Sequence, residues 1–157
     1  VALLKSALAE FAATRARDGD KLKAMILERI DRMQARLALI QSHVPEAIDA
    51  YQEKLATRLR EALATSDEER IRHEIALFGV KIDIAEELNR LGAHLEEVRR
   101  ILAAGGAVGK RLDFLMQELN REANTLGSKS VSKELSDTSL EFKLLIEQMR
   151  EQIQNIE

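Results

Sequence analysis

At 157 residues and a net charge of −3, the chain is long enough to bury the core of one domain and too acidic to coat nucleic acid by charge alone. It has no cysteine, which excludes a disulfide frame and thiolate metal ligation, and no run approaches the ~20 apolar residues of a membrane span. One proline, 3% aromatic and 32% charged residues describe a helix-rich chain with a core of Leu, Ile, Ala and Met.

The chain opens at Val1 inside an apolar helical pattern, with neither an initiator Met nor a signal-peptide pattern, which predicts a piece of a longer, cytoplasmic protein. Leu3, Leu4, Ala7, Leu8 and Phe11 begin a helix expected to pause or bend at Gly19. From Leu22, the series Met25, Ile26, Ile30, Met33, Leu37, Ile40 and Val44 alternates steps of three and four, the spacing of a helix-helix seam. Arg29, Arg32 and Arg36 line another side and read as a solvated face rather than an RNA ridge. Val44-Pro45 reads as a tight turn, and Ile48, Tyr51, Leu55, Leu59 and Leu63 carry the returning helix, so residues 1–66 are expected to form a helical hairpin arm.

Ser66 and Glu69 form a capping-box pattern for a helix expected to run to about Ala103. Its seam begins at Ile71, Ile75, Phe78 and Ile82, then shifts near Ala85 to Ile84, Leu88, Leu91, Leu95, Val98 and Leu102, which rotates the buried face. Gly79 and Gly92, inside it, suggest close backbone approach. Asp83, Glu87, Arg90 and His94 stand at steps of four, three and four along one side. Two carboxylates one turn apart suit a divalent cation, and an imidazole suits proton exchange near neutral pH. Taken alone, the row is better explained as the salt-bridged flank of a seam.

Gly105, Gly106 and Gly109 close that helix and Gly127 closes the next, which spans Lys110 to Leu126. Leu112, Leu115, Met116, Leu119, Ala123 and Leu126 share one arc of it. Asp113, Gln117, Asn120 and Asn124 line the opposite side, with Lys110 and Arg121 beside them, and Arg111, Glu118 and Glu122 run along the edge between. Short polar side chains are poor helix-interior residues, so four on one face point to a polar contact. The surrounding stretch, residues 105–133, carries more basic than acidic groups between acidic neighbours. After a serine-rich loop, Phe142, Leu145, Ile146, Met149, Ile153 and Ile156 form the stripe of a last helix. The sum is an all-α fold, one helical domain over 1–157 whose second part, 67–157, is a long helix followed by a helical pair.

The run GKRLDFLMQELNREANTLGSKS, followed by KLLIEQMREQIQNIE, resembles the C-terminal helical domain of the YicC/YloC family of bacterial endoribonucleases. The resemblance extends more weakly upstream to Arg15–Gly19 and His73–His94. It implies RNA cleavage with a divalent metal, Mn²⁺ or Mg²⁺, held by some of Asp83, Glu87, Glu118 and Glu122. It further implies His94, Asp113, Glu118 and Glu122 as catalytic residues. Lys110, Arg111, Arg121 and Lys129 would meet RNA phosphates, with Gln117, Asn120 and Asn124 meeting 2′-hydroxyls or base edges. The implied partners are RNA and further copies of the chain, not DNA and not a membrane. A helical scaffold without catalysis is the alternative that the seams and acidic charge favour.

Overall fold

The computed structural model describes residues 2–63 and 68–156, and over them the chain is all α-helical: α1 (Ala2–Leu63), α2 (Glu68–Lys81), α3 (Ala85–Ala104), α4 (Gly109–Ser128) and α5 (Lys133–Ile156). Expected helix starts at Ser66 and Asp67 lie outside the described residues, as do the side chains of Leu63 and Ile156.

α1 is a single helix of 62 residues, roughly 93 Å long at ~1.5 Å per residue. The chain neither pauses at Gly19 nor turns at Pro45, which sits inside the helix. Proline keeps a helical φ and forfeits one N–H, a cost of about 3 kcal/mol that flanking packed turns can carry. The first turns stand clear of everything else: Leu3, Leu4, Leu8 and Phe11 are 88%, 65%, 59% and 61% exposed. Only the middle of α1 enters the core, through Ile26, Ile30, Met33, Leu37 and Ile40. Its last third packs instead on α2, which returns antiparallel with the Tyr51 and Phe78 rings stacked 5.7 Å apart and Arg60 Nε donating to Glu68 at 3.1 Å. The hairpin therefore lies one element later than the proline implied.

The helix expected to continue to Ala103 ends at Lys81. Asp83 Oδ1 accepts a hydrogen bond from Ala85 N at 3.0 Å and starts α3, so the seam shift near Ala85 marks a break rather than a twist in one continuous helix. α3 ends where Gly105 and Gly106 take φ of 67° and 87°, as their residue type favours. α4 then buries Leu112, Leu115, Met116, Leu119, Ala123 and Leu126 between α3 and α5, and α5 answers with Phe142, Leu145, Ile146, Met149 and Ile153. Ser132 Oγ caps the start of α5 through Leu135 N at 3.2 Å.

The arginine line on α1 is not a solvated face. Arg29 bonds Gln148 at 3.1 Å, Arg32 bonds Glu141 at 3.1 Å and Arg36 bonds Thr138 Oγ1 at 2.9 Å, a ladder that fixes α1 on α5. Gly92 and Gly79 meet only ordinary or slightly tight side-chain contacts, so neither marks a close backbone approach. Gly127 does mark one, although it lies within α4 rather than beyond its end. A Cβ there would stand 2.5 Å from Ser139 Oγ, which donates to Ala123 O at 2.7 Å from a buried position. Gly127→Ala should therefore lose about 1–3 kcal/mol in urea unfolding, and adding Ser139→Gly should recover much of it; an unchanged midpoint for Gly127→Ala would refute the close contact.

Candidate functional site

α3 and α4 run antiparallel, and charged side chains meet along one edge of their seam. Arg111 approaches Glu97 at 3.6 Å, Arg90 bonds Glu122 at 3.4 Å and Lys129 Nζ bonds Glu87 Oε1 at 2.8 Å. Lys129 also donates to the Asp83 carbonyl at 2.9 Å, which ties the α2–α3 break to the end of α4. His94, half-buried, falls between Arg90 and Glu97 and at the level of Glu118 in this register. Glu118 stands 3.5 Å from Arg121.

Burial decides how these charges behave. Glu87 and Glu122 are each 7% exposed, so each needs a cation and has one. Arg90 lies between Glu86 and Glu122, and their negative charges hold its guanidinium above its ordinary value. Glu97 is held below the usual carboxylate range by hydrogen bonds from Arg100, with Arg111 adding to the effect. Its contribution to stability is therefore in place at neutral pH and is lost only as pH falls through that lowered value. One oxygen is left over: Glu87 Oε2 is buried without a hydrogen-bond partner.

The expected metal set does not assemble as a cage. Asp83 precedes α3 and accepts from Ala85 N instead of stacking above Glu87, and Glu118 and Glu122 face arginines. Among the described residues no three His, Asp or Glu side chains converge on a point that could hold an ion.

The other edge of α4 faces α5. Asp113 accepts from Gln117 at 2.9 Å and from Gln154 at 3.2 Å, with Arg150 Nε at 3.5 Å, so this expected catalytic carboxylate stands around the cylinder from Glu118 and Glu122. Lys110, Gln117, Asn120 and Arg121 line depressions on the same side, and Asn124 is exposed. The expected RNA contacts thus divide: Arg111 and Lys129 join the α3 edge, Lys110, Gln117, Asn120 and Arg121 the α5 edge, and Asn124 is left exposed outside both. Arg150 and Gln154 join the second group without any sequence signal of their own, since only the pairing of α5 with α4 brings them to Asp113.

The family model described as "Endoribonuclease YicC-like, C-terminal" matches residues 40–157. The chain belongs to this family. A protein of Haemophilus influenzae named "Probable endoribonuclease YicC" is 45% identical over 150 residues, 96% of this chain and 52% of that protein. One of Clostridioides difficile with the same name is 34% identical over 157 residues, 98% of this chain and 54% of its own length. The chain therefore spans about half the length of these YicC relatives.

Lys129 is 31% exposed and Glu87 9% by side chain, so removing one partner strands a charge. Lys129→Met should cost about 2 kcal/mol in urea unfolding, and Glu87→Gln with Lys129→Met should recover most of it. Equal losses in both variants would show that the pair is not coupled.

Proposed function

We propose that the chain cleaves RNA phosphodiester bonds as an endoribonuclease, using the α3–α4 edge with a divalent ion, Mn²⁺ or Mg²⁺. The observation that carries this reading is Glu87. It is a buried carboxylate with one oxygen on Lys129 and the other without a donor, in a chain whose relatives are named as probable endoribonucleases. A buried acceptor left unmatched costs roughly 1–3 kcal/mol, and a bound ligand would offset that cost.

A cage of four carboxylates does not fit these residues. A hard cation would instead take Glu87 alone, once Lys129 gives way and opens Oε2, and complete its shell with phosphate oxygens and water, with Glu122 the next acid along the edge. Bound there, the ion would polarise a phosphoryl oxygen and favour loss of the nucleophile's proton. The chain's own residues do the rest. Lys129 and Arg90 offer cations to the phosphate, and His94, level with Glu118, takes the nucleophile's proton and returns it to the oxygen that leaves phosphorus, the 5′-oxygen when the 2′-hydroxyl attacks and the 3′-oxygen when water does. A 2′,3′-cyclic phosphate product identifies the RNA's own 2′-hydroxyl as nucleophile, and a 5′-phosphate identifies water. Lys110 and Arg121 meet flanking phosphates, while Gln117, Asn120 and Asn124 meet 2′-hydroxyls or base edges. Such a substrate sets the work in the bacterial cytoplasm.

The scaffold reading has one observation of its own, the uncovered stripe Leu3, Leu4, Leu8 and Phe11. A second copy of the chain covering it would make the molecule a homo-oligomer, and sedimentation of Leu4→Glu with Leu8→Glu should then show fewer subunits than the parent.

An end-labelled single-stranded RNA, incubated with the chain and Mn²⁺ or Mg²⁺, should be cut internally, and EDTA should abolish the cutting. Glu122→Gln and His94→Ala should each lower the rate by about 10²-fold or more. Retention of RNA should weaken steeply as salt rises. Neither cutting nor salt-sensitive binding would leave the scaffold reading in its place.

A further inference from the structure

The α4–α5 edge carries a feature that the cleavage chemistry does not use. The chain has five aromatic residues, and four are engaged: Phe142 is buried in the core, Tyr51 and Phe78 stack on each other, and Arg15 lies over the Phe11 ring at 5.8 Å. Phe114 has no ring or cation against it among the described residues and is 58% exposed on α4. It lines a depression of about 390 Å³ together with Lys110, Asp113, Gln117 and Gln154.

That depression is the middle one of three. Toward the start of α1 it shares Lys110 and Ile153 with a cleft of about 660 Å³, which also takes in Lys23 and the Gly105–Gly109 turn. Along α4 it shares Gln117 with a depression of about 200 Å³ lined by Asn120, Arg121 and Arg150. The three therefore form one track. Lys110 and Arg121 stand about 16 Å apart along the helix at ~1.5 Å per residue, the reach of a few nucleotides of an extended strand, with Phe114 between them. Asp113 takes one amide N–H each from Gln117 and Gln154, which orients both groups and leaves each a carbonyl oxygen for a hydrogen-bonding ligand. Arg150 Nε is buried 3.5 Å from Asp113 Oδ1 without a hydrogen bond, an ion pair that sets its guanidinium beside the two amides. Cations, amides and one open ring face at this spacing are the chemistry that holds an unpaired nucleic-acid strand.

We propose that the α4–α5 track binds one single strand of RNA, with one base stacked on Phe114 and the phosphates on either side of it on Lys110 and on Arg121 with Arg150. This rests on RNA being the substrate, and it makes an unpaired segment, not a duplex, the part of the substrate that the chain grips. A rigid duplex has no free base face to offer the ring.

The test is equilibrium binding of a single-stranded oligoribonucleotide containing 2-aminopurine, whose fluorescence falls on stacking, to the parent chain and to Phe114→Leu, Phe114→Trp and Arg150→Gln. Phe114→Leu should bind about tenfold more weakly and lose the quenching, and Phe114→Trp should restore both. Arg150→Gln should lower the slope of log affinity against log salt by about one. A matched duplex should bind more weakly than the single strand. Parental affinity and quenching in Phe114→Leu would overturn the stacking role while leaving RNA as the substrate. A changed subunit count in Phe114→Leu with unaltered RNA binding would overturn it in favour of an interface between copies. No RNA binding by the parent chain would remove the substrate reading itself, and the track with it.

Discussion

α4 has to bury one arc of aliphatic side chains against two helices at once, and the rest of the arrangement follows from that. With Leu112, Leu115, Met116, Leu119, Ala123 and Leu126 sealed between α3 and α5, the polar residues of α4 are confined to two edges and an outer strip. One edge sets Glu118 and Glu122 against α3 with its arginine and histidine. The other sets Asp113 and Gln117 against α5. The two candidate surfaces are thus the two borders of a single packed helix, and neither can shift without repacking the core. Arg121 pairs with Glu118 and also lines the α5 side, so it joins the two borders.

Charge is placed unevenly across this frame. On the α1–α5 contact, arginines are satisfied by an amide, a hydroxyl and a carboxylate, chemistry that sets the tilt of one helix on another. On the α3–α4 edge, two acids are buried as deeply as core residues, and one of their oxygens has no donor. Ion pairs that serve only to hold helices together are usually left half in water, where their desolvation costs little. At their depth, Glu87 depends on Lys129 and Glu122 on Arg90.

Much of this was legible in the sequence wherever one helix buries one stripe. Every apolar position read on the arc of α4 is buried, as are the stripes of α3 and α5 among the described residues, because a 3.6-residue period leaves little freedom once a face is sealed. The misread places share a cause. Pro45 and Gly19 carry strong local signals for a break, and the cooperative continuity of a long helix overrides both. Asp83 has the spacing of a helical row but stands before the helix, because its side chain's local bond to Ala85 N competes with helix continuation. Arg150 and Gln154 were invisible as site residues, since their meeting with Asp113 depends on a pairing 41 residues apart for Gln154.

The unbroken course of α1 also has a mechanical side. The core grips this rod from Ile26 to Ile40, about its midpoint near Met33, and leaves about 35 Å beyond the grip on either side at ~1.5 Å per residue, each tip about 45 Å from the midpoint. A rocking of 5° at the grip, small enough to be absorbed by a slight change in ridge packing, would sweep each tip through about 4 Å in opposite directions. The free apolar end and the α2-bearing end are thus the two ends of one lever whose fulcrum is the core. A load taken up at one tip would be felt at the other without any helix melting.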